Sequence, residues 1–296
     1  MPSSSRSGLA FVSLAALLPL LCATEQRAST DAASCRVETS AALPNRLRES
    51  SGVTRSGSTA GLFWTHNDSE KRARVYGLDA AGEVRATVLV TGADVHDWED
   101  IARGRCPEGT CLYVGDIGDN AADRDYVTVY RFPEPHPTAS ASAAAVRFDA
   151  RYPDGPRDAE ALFVLPSGRL YVVSKGERRA IGVYAFPENP APAVVTELQL
   201  VRRLSAGPVD RQARVTGAAA APDGRYVALR SLAALAIYRT ADLLEGGAPA
   251  LTFDLRPLGE VQGEGVDLDA DGTVVLTSEG GDDGAPTLTI LSCRVP

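Results

Sequence analysis

Short apolar runs alternate with turn residues from about residue 36 to the end of the chain, and they recur in the same order five times. The second run of each unit is the most apolar: Leu62–Thr65, Leu112–Gly115, Leu170–Val173, Tyr226–Leu229 and Val274–Thr277. Before it stands a turn, plainest at Ser167-Gly168, Asp223-Gly224 and Asp271-Gly272, where glycine supplies the positive φ of a hairpin. A third run carries the pairs Val75-Tyr76, Val129-Tyr130, Val183-Tyr184 and Ile237-Tyr238, each Tyr 54 positions after the last; Ile290-Leu291 sits one position short of the next step. A more polar fourth segment closes the unit, as in Val84–Val90, Ala145–Asp149 and Leu251–Leu255. No stretch of 36–296 carries a helical period, and Gly and Pro recur too often for long helices.

Strands repeating at this interval predict an all-β fold, a single β-propeller of five four-stranded blades over residues 35–296. A six-bladed ring is the alternative; in the same length it needs a period of about 45, which no marker supports. The fifth unit stops at Pro296 after its third strand, so residues 35–40 are expected to supply its outer strand and close the ring. That places Cys35 beside Cys293. Cys106 and Cys111 then pair across their own turn. Four cysteines allow three pairings, and ring closure selects this one.

The N-terminus changes the expected compartment. Arg6 precedes the apolar run Leu9–Leu21, the layout of a signal peptide (1–23) cleaved after Ala23, with 24–34 as a flexible tether. The competing reading is a lipoprotein anchored through Cys22. Without a second hydrophobic span, the mature chain is expected to be secreted or periplasmic, with disulfides to match. Net charge −8 and pI near 5.0 argue against a nucleic-acid partner. A monomer is expected, meeting a small molecule or an envelope or extracellular partner.

The first strand of each blade should line the axial channel. Aligning the units brings Glu99, Glu160 and Glu264 to one position, with Ser51 and Gly217 in the other two; two residues earlier stand Glu49, Asp97, Asp158, Val215 and Gln262. Converging carboxylates lose hydration and repel one another, so they need a proton, basic partners or a cation. Ca²⁺ suits an all-oxygen site in an exported protein, with Glu99, Glu160, Glu264, Asp97 and Asp158 as its candidate ligands. Hydrogen bonds to neighbouring backbone N–H groups are the other use for them. The second strands end in His66, Asn67, Asp68, Asp116, Asp119, Asn120, Lys175, Arg230 and Glu279, a mixed-charge candidate ligand face. They could equally satisfy one another as ion pairs. Asp267–Gly272 resembles the start of a calcium loop but has Ser278 where that loop needs Glu, so it reads as a hairpin. Gly57–Gly61 puts Thr59 at the centre of a nucleophile-elbow pattern and also reads as a turn.

Phe63–Asp68 (Phe-Trp-Thr-His-Asn-Asp), Asp97–Ile101 (Asp-Trp-Glu-Asp-Ile), Tyr113–Asn120 (Tyr-Val-Gly-Asp-Ile-Gly-Asp-Asn) and Asp158–Leu162 (Asp-Ala-Glu-Ala-Leu) together resemble exported bacterial propellers grouped with phytase-like, esterase-like and gluconolactonase-type propellers. The resemblance implies a funnel with axial Ca²⁺ and, in the enzymatic relatives, hydrolysis of a phosphoester or lactone. Two departures stand against direct transfer: those enzymes are six-bladed, and the dense basic cluster a polyphosphorylated substrate needs is absent here. Two functions are therefore expected to compete. One is a calcium-stabilised binding or scaffold protein; the other is a calcium-dependent hydrolase of small phosphoesters or lactones.

Overall fold

The computed structural model describes residues 1–2, 34–282 and 284–296. Almost all of the expected signal peptide and tether, Cys22 included, lies outside the described residues. The folded unit is Ala32–Pro296.

Five antiparallel blades follow one another in chain order. Blade 1 is Ser50–Arg55, Phe63–Asn67, Arg74–Leu78 and Val84–Leu89; blade 2 is Trp98–Cys106, Gly109–Asp116, Val127–Pro133 and Val146–Arg151. Blade 3 is Ala159–Val164, Leu170–Ser174, Gly182–Ala185 and Gln199–Arg203; blade 4 is Val215–Ala220, Tyr226–Ser231, Ala234–Arg239 and Leu251–Asp254. Blade 5 is Gln262–Leu268, Thr273–Glu279 and Thr287–Arg294, with Ser34–Ala42 outermost. The N-terminal strand thus closes the ring as expected, with Cys35 opposite Cys293 in the ladder and the two joined by a disulfide. The second disulfide joins Cys106 to Cys111. Both bridges are the chemistry of an oxidising compartment. No helix among the described residues is long and apolar enough to cross a membrane.

The apolar core lies between blades. Trp64, Val88, Trp98 and Phe132 fill the gap between blades 1 and 2; Leu162, Tyr184 and Phe148 fill the next. Phe163 and Leu229 pack blade 3 on blade 4, Ile237 and Leu276 pack 4 on 5, and Phe63 and Leu288 pack 5 on 1. Each blade therefore buries both faces only because its two neighbours are present. Of the four periodic Tyr markers, Tyr76, Tyr130 and Tyr184 lie buried in these seams, and Tyr238 is partly buried against the seam of blades 3 and 4.

Two details were not visible in the pattern. Blade 2 gains a short fifth strand, Thr196–Glu197, running parallel to Val146–Arg151. Blade 4 holds a six-residue helix, Thr240–Glu245, ended by Gly246 at φ 121°. Less than two turns long, it is too short to write a helical period into the sequence.

Candidate functional site

The ladder between first and second strands is interrupted at the same place in all five blades. The shift falls between Ser50 and Val53, Trp98 and Asp100, Ala159 and Ala161, Val215 and Gly217, and Gly263 and Val266. A bulge leaves a residue out of the pairing and re-aims its side chain. The residues left out include Ser51, Glu99, Glu160, Thr216 and Glu264. Blade 4 therefore contributes Thr216, correcting the alignment that placed Gly217 there. Blade 4 alone has no acidic residue at either of the two aligned positions (Arg214 and Thr216), and only its pairing with the second strand fixes the count.

Hydrogen bonds join this layer around the ring. Ser51 Oγ donates to the Glu99 carbonyl, Thr277 Oγ1 to the Ser51 carbonyl (2.7 Å), and Thr216 Oγ1 to the Glu264 carbonyl (3.3 Å). The glutamate side chains form the acidic end of the channel. Glu99, Asp158 and Glu160 each place a carboxylate oxygen within 4.8 Å of the others, and all three are buried. At that separation each like-charged pair costs about 3.5 kcal/mol at an effective dielectric near 20. Asp97 belongs to the same group: a Cβ built on Gly118 would lie 2.2 Å from Glu99 Oε1 and 2.3 Å from Asp97 Oδ2. Glycine at 118 is what lets both carboxylates sit there.

Lys175 stands against this charge. Its Nζ contacts Glu160 Oε1 and lies 3.2 Å from Asp158 Oδ2. Burial pulls the ammonium pKa down, but Glu160 and Asp158 outweigh it and hold it above the usual lysine value. Burial drives Glu160 up to about 7 even with Lys175 beside it. Burial, then neighbouring Glu160, also raises Glu99 and Glu264 well above the usual carboxylate range. Glu279 is lifted to about 7 by burial and the charges of Asp68, Glu160 and Glu49. One lysine cannot balance this group. Among the described residues, Glu264 Oε2 is buried without a hydrogen-bond donor and Asp158 Oδ2 has only the Lys175 ammonium beside it, which fits an all-oxygen donor set for a hard cation.

The second-strand residues do not assemble as one ligand face. His66 is fully buried, edge-on to Trp98, with Nδ1 3.1 Å from the Asn67 carbonyl; burial lowers its pKa to about 4. Asn67 donates to the Arg46 carbonyl (3.0 Å). Asp116 accepts the His96 and Asp97 N–H groups and pairs with Arg124 at 2.9 Å. Asp119 accepts the Asp123 and Arg124 N–H groups. Arg230, fully buried, donates to the Gly265 and Thr277 carbonyls and pairs with Glu260. Asn120 is exposed. Lys175, Asp68 and Glu279, all partly exposed, are the members that carry charge to the acidic mouth.

Sequence reasoning missed Asp100. It is fully buried, and its carboxylate accepts the N–H groups of Ile101 (2.9 Å), Leu162 (2.8 Å) and Ala218 (3.2 Å), from blades 2, 3 and 4. The other four blades have Gly52, Ala161, Gly217 and Gly265 at this level. The carboxylate fills the space those small residues leave and divides the channel in two. An acid in a column of Gly and Ala was the available signal.

Beside the acidic end, a cavity of about 260 Å³ opens between the loops of blades 2 and 3, lined by Arg157, Asp158, Ser174, Arg178 and Arg179 among others. Arg157 is neutralised by Asp154. Arg178 donates to the Ala121 carbonyl (3.2 Å) and Arg179 to the Asp154 carbonyl (2.6 Å). Neither has a carboxylate within 4.0 Å among the described residues.

No protein-family model matches the sequence, and no curated protein does. Among solved structures, the PQQ-bound aldose sugar dehydrogenase of Streptomyces coelicolor is similar at 13% identity and a TM-score of 0.52, over 88% of this chain and 98% of that one. A glucose dehydrogenase is 12% identical with a TM-score of 0.49, over 85% and 98%. A gluconolactonase of Xanthomonas campestris is 14% identical with a TM-score of 0.41, over 79% and 69%. The first of these likenesses extends to the propeller fold and no further; the two lower scores add nothing to it.

Proposed function

We propose that this propeller is a cation-dependent binding protein of an oxidising compartment, holding one Ca²⁺ at the acidic end of its channel and a small anion-bearing ligand beside it. Asp158 carries the reading: it belongs to the buried carboxylate cluster with Glu99 and Glu160 and also lines the 260 Å³ cavity. Glu99, Asp158 and Glu160 would hold the cation, with Asp97 and Glu264 adjacent. When bound, a hard cation neutralises their repulsion and offers positive charge to an oxygen of the ligand. Arg178 and Arg179, which have no carboxylate partners among the described residues, suit a carboxylate or phosphoryl group at the far side of the cavity. Lys175 holds Glu160 and Asp158 in place and competes with the cation for them.

A second reading, hydrolysis of a small phosphoester or lactone, is favoured by Glu160, which sits in the carboxylate cluster beside the cavity. A carboxyl group at about 7 can take up or release a proton near neutral pH, as a general acid or base must. No complete catalytic set accompanies it among the described residues, so binding is preferred.

Melting curves in Ca²⁺ and in chelator test the cation, and phosphate added to each tests the ligand. Stabilisation by Ca²⁺, further stabilisation by phosphate only when Ca²⁺ is present, and loss of both in Glu160→Gln are expected. Identical melting in Ca²⁺ and chelator overturns the reading. Chelator-sensitive turnover of aryl phosphates, aryl esters or lactones replaces binding with hydrolysis.

A further inference from the structure

Below Asp100 the channel opens again at the opposite mouth, into a cavity of about 220 Å³ walled by all five blades, with Thr54, Arg103, Val164, Ala218 and Asp267 among the lining residues. One wall is the small apolar run Ala218–Ala221. The other carries charge that the protein matches only in part. Asp267 is 6% exposed; its Oδ1 accepts Thr54 Oγ1 at 3.2 Å, while its Oδ2 is buried without a hydrogen-bond donor. Arg55 Nε stands 3.5 Å from that oxygen and shares its charge with Asp269, 3.3 Å from Nη1. Arg103 has neither a side-chain hydrogen bond nor a carboxylate within 4.0 Å among the described residues. It is near enough for its charge to act on Asp267, yet too far to pair with it. A guanidinium and a carboxylate thus line one cavity with a gap between them.

We propose that this mouth binds a free α-amino acid with a small apolar side chain, its carboxylate on Arg103, its ammonium on Asp267 Oδ2 and its side chain against Ala218–Ala221. Each part answers a feature of the cavity. The Arg fork matches a carboxylate in two parallel hydrogen bonds. An ammonium gives the buried acceptor the donor it lacks, and such an acceptor is costly to leave unmatched. A simple anion would leave Asp267 Oδ2 with only the distant Arg55 Nε and add like charge; a simple cation would leave Arg103 unpaired and add like charge to it. Only a molecule carrying both charges satisfies both groups. This site lies across Asp100 from the acidic chamber and does not depend on a cation there.

Calorimetric titration of the mature protein with L-alanine, L-proline and L-leucine, and with L-leucinamide and N-acetyl-L-leucine, tests it. Saturable binding of at least one free amino acid is expected, with leucinamide and N-acetyl-leucine at least tenfold weaker than leucine if leucine binds. Arg103→Gln should lose tenfold or more in affinity with an unchanged melting temperature, since that side chain has no hydrogen bond or ion pair to lose among the described residues. Asp267→Asn is the partner variant, read only if it melts as a folded protein. Chelator should leave the titration unchanged, which separates this site from the cation site. No saturable binding of any of the three amino acids overturns the proposal, as does equal affinity for leucine and either blocked derivative, or an unaltered titration in Arg103→Gln.

Discussion

Asp100 on blade 2 accepts the backbone N–H of Ala218 on blade 4 across the channel axis, at 3.2 Å. The same carboxylate oxygen takes the Leu162 N–H from blade 3. Three blades are therefore tied at one side chain. Burial raises the Asp100 pKa well above the usual carboxylate range, although the three N–H groups oppose that shift.

Removing this tie should be costly. Asp100→Ala orphans three buried donors at about 1–3 kcal/mol each, so a loss of at least about 3 kcal/mol is expected in denaturant unfolding. Asp100→Asn keeps an acceptor and should lose less. An Asp100→Ala protein as stable as wild type would show that the axis is held by the seams alone.

The two disulfides should differ in weight. Cys35–Cys293 closes a loop of sequence separation 258, worth roughly 5.5 kcal/mol by chain entropy; Cys106–Cys111 spans a separation of 5, worth roughly 2 kcal/mol. The paired Cys35→Ser and Cys293→Ser variant should accordingly melt well below the Cys106→Ser and Cys111→Ser variant. Equal melting temperatures would mean that the N-terminal strand holds the ring without its bridge.

The acidic chamber fixes the sign of the pH dependence. Glu160 and Glu279 stand at about 7 in the folded protein against an ordinary 4.5. Raised acid groups give stability that is complete below about 4.5 and is lost as pH rises through about 7. In chelator the melting temperature should therefore fall between pH 5 and pH 8. Saturating Ca²⁺, which displaces those protons, should reduce or reverse the fall. A flat profile in chelator would mean that the carboxylates ionise without penalty.

Lys175→Met separates the two claims on Glu160. Without the ammonium, the chelated protein should lose stability at pH 8, because Glu160 and Asp158 then repel with nothing between them. Ca²⁺ affinity should rise by about tenfold, the equivalent of about 1.4 kcal/mol, as its competitor is gone. Calorimetry that finds weaker Ca²⁺ binding would show that Lys175 supports the cation site instead of competing for it.

Hydrophobic periodicity, the 54-residue step of the Tyr markers and the turn glycines carried the architecture. A strand's alternation reports which of its faces is buried, and five repeats of it can be satisfied only by neighbours, so blade number, ring closure and both cysteine pairings followed from the chain. Glu99, Glu160 and Glu264 were legible for the same reason: they recur at one place in the repeat. What lies across blades was not. The equivalence of Thr216 depends on a bulge, which is a property of pairing between two strands. The burial of His66 and Arg230, the contact of Lys175 with Glu160 and the gap between Arg103 and Asp267 depend on how side chains pack after the ring closes. Asp100 shows the division most clearly. Its position in a small-residue column is written in the sequence, but its partners Leu162 and Ala218 lie 62 and 118 residues away. Only closing the ring brings them to one carboxylate, because the desolvation that makes those hydrogen bonds valuable does not exist until the channel does.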